Sequence, residues 1–195
     1  MPGLPTPITG LAMFALAAAL ALPAQAAIVQ YDATLSGLQE VPPNASPGTG
    51  SADVTIDTLL NTMRVQASFS GLLSPTTVAH IHCCALPGSN AGVATTTPTF
   101  PGFPGGVTAG IYDATFDMTL ASSYNPAFVT ANGGSIAAAF ATLLAGLDAG
   151  EAYFNVHTTI FPGGEIRGQL SRVPEPASAA LLLAGLGLLA LRRRG

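Results

Sequence analysis

All three histidines of this 195-residue chain fall in two short stretches, His80-Ile81-His82 and Tyr153-Phe154-Asn155-Val156-His157. On a strand, residues two apart share a face, so His80 and His82 point one way and Ile81 the other. Two imidazoles at that spacing can chelate one metal ion. His157 precedes the turn Phe161-Pro162-Gly163-Gly164. A hairpin centred near Phe161 sets His157 opposite Glu165 and Asn155 opposite Arg167. Asn155, His157, Glu165 and Arg167 then share one face, with Phe154, Val156, Ile166 and Leu170 on the buried side. Imidazoles with a carboxylate suit zinc or copper(II), so His80, His82 and His157 form a candidate metal set, with Glu165 or Cys83 as an extra ligand. Cys83 and Cys84 are adjacent and alternatively close into a vicinal disulfide. The competing reading is a structural polar cluster of Glu40, Asn155, Glu165 and Arg167 that holds no metal. In it Glu40, fixed at a strand end by Pro42 and Pro43, pairs with Arg167 or Arg64.

The elements that position these groups read as short strands. Period-two alternation recurs over 28–36, 51–58, 63–70, 77–83, 111–120, 151–158 and 165–170. Seven short strands predict an all-β antiparallel sandwich of two sheets. A helical run at 135–147, with a further turn or two at 125–132, places one or two short helices before the last hairpin. The Pro/Gly/Thr-rich stretch 85–110 is long for a loop and starts beside the histidines, which points to an ordered flap.

Both ends read as addresses. The apolar run 11–22 is too short for a stable span, and Ala24-Gln25-Ala26 gives an A-x-A cleavage pattern, so 1–26 is a secretory signal peptide. The domain proper is 27–172. It holds nine acidic residues against Arg64, Arg167 and Arg172, and the whole chain has no lysine. Such a surface offers nucleic acid no basic footprint. Two neighbouring cysteines exclude a long-range disulfide framework within one chain.

From 173 onward the chain carries Pro174-Glu175-Pro176, an apolar segment at 177–191 and Arg192-Arg193-Arg194. This three-part end resembles the PEP-CTERM sorting signal of Gram-negative bacteria. The resemblance implies passage through the export machinery, a pause as an inner-membrane-anchored precursor and removal of the tail by an exosortase-type protease. The arginines stay on the cytoplasmic side. The protein then ends at the cell surface, outside the cell or in the periplasm.

Four blocks of the domain proper, Tyr31 to Pro43, Ala79 to His82, Tyr153 to Thr158 and Pro162 to Leu170, are similar in order and text to the CHRD family. That family is named for chordin and is common among bacterial secreted proteins. The resemblance implies an extracytoplasmic, largely β domain and brings no established catalytic activity. It also fits the expected sandwich, of immunoglobulin or superoxide-dismutase type.

Three functions follow, in order. The first is a non-catalytic binding or structural module of the envelope or matrix, with a surface or matrix partner; no nucleophile elbow, phosphate loop or HExxH motif occurs. The second is a copper or zinc β-sandwich protein with redox activity through His-x-His. The third, a hydrolase built on Glu165 and His157, lacks a paired carboxylate or nucleophile.

Overall fold

The computed structural model describes residues 28–174. The signal-cleavage residues Ala24 and Ala26, the Glu175-Pro176 part of the sorting motif and the apolar segment 177–191 lie outside the described residues. Among those described, no helix is long and apolar enough to cross a membrane.

Eight strands and two short helices make up the domain. The strands are β1 (Ile28–Ser36), β2 (Thr49–Asp57), β3 (Thr62–Ser70), β4 (Thr76–His82), β5 (Gly110–Asp117), β6 (Tyr153–Thr158), β7 (Ile166–Gln169) and β8 (Ser171–Arg172). The helices α1 (Pro126–Ala131) and α2 (Ile136–Asp148) precede the last hairpin. Alternation sets the strand faces: Val29, Tyr31, Ala33 and Leu35 of β1, Ala52, Val54 and Ile56 of β2, and Met63, Val65, Ala67 and Phe69 of β3 are all buried. The helices start where local chemistry caps them. Asn125 accepts from the Ala127 N–H with Pro126 in the first turn, and Ser135 accepts from the Ala138 N–H.

The fold is all-β and antiparallel. Its strands follow one hydrogen-bonded path, β4-β6-β7-β1-β2-β3-β5, with β8 paired to β1. The path curls on itself, so its two arms face each other as the layers of a sandwich do. Its seam is thin. Between β1 and β7 the ladder holds one pair, Ser36 with Arg167, while β8 takes up Tyr31 and Asp32 further along β1.

The long stretch between β4 and β5 closes the curl. Its backbone follows the free edge of β4: Cys83 N–H donates to Gly92, Ala94 N–H to Ile81 and Phe100 N–H to Ala79. Phe100 and Phe103 drop from it into the core. Phe100 lies 5.9 Å from both Tyr112 of β5 and Phe154 of β6, and Phe103 lies 5.3 Å from Tyr112. Two loop aromatics thus bridge β5 on one arm and β6 on the other, and the loop is part of the core as well as a flap.

Candidate metal centre

The histidines stand on the arm β4-β6-β7, whose register is set by the core. Ile81 pairs with Phe154 and Ala79 with Val156, all four fully buried on the apolar side. Alternation then forces the other set outward: His80 pairs with Asn155, His82 with Tyr153, and Arg167 of β7 with Asn155. That outward face is covered as well. Every residue of β6 is buried. The cover is irregular chain from 37–46, 87–98 and the 160–164 turn.

Each imidazole is held by a backbone carbonyl. His80 Nε2 lies 2.5 Å from the Pro98 oxygen, His82 Nδ1 2.9 Å from that of Ala91, and His157 Nδ1 3.0 Å from that of Pro162. A carbonyl only accepts, so these nitrogens carry the protons and the other nitrogen of each ring keeps its lone pair. Those other atoms, His80 Nδ1, His82 Nε2 and His157 Nε2, are buried and have no partner among the described residues.

The three rings form a nearly equilateral triangle, with centroids 5.4, 5.7 and 5.7 Å apart. One ligand nitrogen from each lies within 4.8 Å of the others. Burial pushes all three imidazoles below their ordinary pKa, His82 to about 4, so they are neutral at pH 7. Neutral rings held close together, each with one nitrogen free and its other N–H fixed on a carbonyl, have the chemistry of metal ligands.

Neighbouring side chains hold the rings in place. Tyr153 stacks on His82 at 4.8 Å, and the Arg167 guanidinium lies 4.3 Å over the far side of Tyr153. Arg167 donates to the Gln39 carbonyl at 2.6 Å and to Asn90 Oδ1 at 2.9 Å, while Asn90 donates to the Val41 carbonyl. Two covering segments are thereby tied to one β7 side chain. Glu40 is also buried under this cover, and burial raises its carboxyl to about 7 against the pull of Arg167 and Asn155.

Three expectations need correction. Glu165 does not join the histidine face. Its carboxylate accepts from Ser46 Oγ, the Leu73 N–H and Thr158 Oγ1, each at 2.6 Å. The cause is local: β7 begins only at Ile166, and Gly164 at φ +129° turns the chain first, so strand alternation does not extend back to Glu165. Nor is Cys83 a ligand. It is bonded to Cys84 and sits 5% exposed in the core, where Gly146 of α2 leaves room for both sulfurs that any side chain would fill. Glu40, finally, forms no ion pair with either arginine: among the described residues, the ion pairs are Arg64 with Asp113 and Arg172 with Asp148. Sequence reasoning missed the Pro98, Ala91 and Pro162 acceptors, because a backbone carbonyl has no residue-type signature. It also missed Tyr153, whose place beside His82 was readable from the ladder.

Fold and site together define an antiparallel β domain with a triple-imidazole cluster buried on one sheet face. The chain belongs to the CHRD family, whose domain model matches residues 31–170, and residues 172–194 match the PEP-CTERM protein-sorting motif. No curated protein and no solved structure matches it. The sorting motif makes this an exported protein, processed by an exosortase at the membrane and ending outside the cell or on its surface.

Proposed function

We propose that the domain 27–172, freed of the signal peptide 1–26 and the sorting tail 173–195, is a metal-binding module that holds one copper or zinc ion on His80, His82 and His157. The observation that carries this is the shared state of the rings: each spends one nitrogen on a carbonyl and leaves the other buried and unpartnered. A purely structural cluster pairs its buried polar atoms, since each orphan costs about 1–3 kcal/mol. Three such atoms in one triangle favour an electron-pair acceptor among them. An all-imidazole donor set suits zinc and copper, and excludes the oxygen-seeking calcium and magnesium. Before release, the precursor is held at the inner membrane by the segment 177–191.

The test is metal content. The full chain, purified from the envelope after copper or zinc supply, is expected to carry one ion per chain. His80→Ala, His82→Ala and His157→Ala each reduce this to a small fraction while the fold survives, as read by circular dichroism. Wild-type protein without stoichiometric metal sinks the reading. A histidine variant that loses stability and had no metal to lose leaves the structural cluster in its place.

A further inference from the structure

The buried side-chain nitrogen and oxygen atoms left without a partner number five among the described residues: the three ring nitrogens, Glu40 Oε1 and Asn155 Oδ1. All five lie in the layer over β4 and β6. Asn155 stands across the ladder from His80 and two residues before His157 on the same face. Glu40 reaches the same place from the covering segment. A Cβ at Gly164 would lie 2.5 Å from Glu40 Oε1, 2.5 Å from Asn155 Nδ2 and 2.6 Å from Asn155 Oδ1, so the Glu40 carboxyl and the Asn155 amide meet over a position that only glycine leaves open.

The chemistry of the five atoms is one-sided. Three neutral imidazole lone pairs and one amide oxygen are acceptors, and the Glu40 carboxyl, raised to about 7 by burial, is one in its ionised form. Whatever satisfies them must accept electron pairs on one side and donate hydrogens on the other. A metal ion alone meets only the first need, and a water molecule alone cannot serve five acceptors. A metal ion bearing a coordinated water meets both.

We infer that the ion on His80, His82 and His157 keeps a fourth, exchangeable position, occupied by a water whose hydrogens are accepted by Glu40 and Asn155. This rests on the metal reading above and extends it from a holding site to an open one. Three protein ligands with a solvent ligand are the arrangement of reactive rather than structural centres. The position takes hydroxide, small anions and small neutral Lewis bases. A surface cavity of about 460 Å³, lined by Leu38, Glu40, Val41, Pro87 and Arg167, borders the covered layer at Glu40. Glu40 lines that cavity and also belongs to the buried layer, so it is the side chain the two share. Glu40 and Asn155 are positioning residues, acting through the bound water.

The experiment uses the full chain loaded with one equivalent of copper(II) and titrated with sodium azide, followed by the azide-to-copper charge-transfer absorption. Wild type is expected to show a saturable band. Glu40→Gln is expected to bind azide about tenfold more tightly, because its amide donates to the anion where the carboxylate accepted from water and repelled the anion. Asn155→Asp is expected to weaken azide by about tenfold through the added charge, and it gives an independent reading should Glu40→Gln fail to fold. Copper bound one to a chain with no azide band overturns the open position and leaves the metal reading standing. Azide affinity unchanged in both variants overturns the role of Glu40 and Asn155. Failure to bind copper or zinc at all overturns both readings.

Discussion

Strands β3 and β6 belong to one sheet, and each turns an apolar face to the core; their other faces differ. On β3 the outward residues Arg64, Gln66 and Ser68 meet solvent and one another's neighbours: Arg64 pairs with Asp113, and Ser51 and Ser68 share a hydrogen bond. On β6 the outward residues Tyr153, Asn155 and His157 are only 2%, 2% and 7% exposed. An antiparallel sheet needs one buried face to be stable, and the second usually stays wet. Covering the second face of β6 strips water from imidazoles, an amide and a carboxylate, and irregular chain does the covering. Burial beyond what folding requires, concentrated on polar groups, sets this face apart from the open face of β3.

The largest effect should come from uncoupling that cover from the sheet. Glu165 is fully buried, and its two oxygens tie Ser46 and Leu73 of the connecting segments to Thr158 at the end of β6. Glu165→Ala leaves three donors to find new partners and is expected to cost roughly 3–5 kcal/mol in urea unfolding. A loss below about 1 kcal/mol would mean that the cover is held elsewhere, for instance by Arg167 through Gln39 and Asn90.

How much of this contrast was legible in the sequence follows from periodicity. The alternation of β2 and β3 gave their buried faces residue by residue, because solvent on one side and core on the other write a period-two pattern. The hairpin register was legible too: Asn155 does face Arg167. Glu165 was misplaced because the same alternation was carried one residue past the strand, into a turn whose Gly164 conformation periodicity does not encode. The joining of the expected two sheets through the short β1–β7 seam was beyond reach, since one ladder pair leaves no pattern. So was the insertion of Phe100 and Phe103 from a stretch whose composition reads as loop. Long-range contacts decide such features, and local residue types report them poorly.

A middle-sized effect should appear with pH in the metal-free protein, and its sign separates the two kinds of buried group. The histidines have folded pKa values below their ordinary 6.5, His82 about 4, so the unfolded chain binds their protons first and stability falls as pH drops below 6.5. Glu40 works in the opposite sense. Its folded pKa of about 7 exceeds the ordinary 4.5, so its contribution is present below 4.5 and is lost as pH rises through 7. Three groups outweigh one, so urea midpoints measured from pH 7.5 down to 5 should decline. His82→Gln should flatten the decline and Glu40→Gln should steepen it. A midpoint that rises towards pH 5 would place the histidines in a more hydrated setting than the cover implies.

The smallest effect belongs to the open face, where the comparison predicts near silence. Arg64 and Asp113 make a bidentate pair across β3 and β5, with Arg64 Nε 2.8 Å from Oδ1 and Nη2 2.5 Å from Oδ2. The pair holds the Asp113 carboxyl below its usual range, yet about half of each side chain is exposed. Water and salt can replace most of what either partner gains, and two long side chains give up freedom to meet. The β3–β5 ladder does not need them, because Met63 with Phe116 and Val65 with Ala114 set its register from the core side. Arg64→Gln should therefore leave the urea midpoint within experimental error of wild type in 0.15 M salt, and metal content unchanged. A clear loss of stability would mean that the outer face of β3 is covered in the working protein, by a partner or a second copy. The two faces of the sheet would then differ only in what covers them.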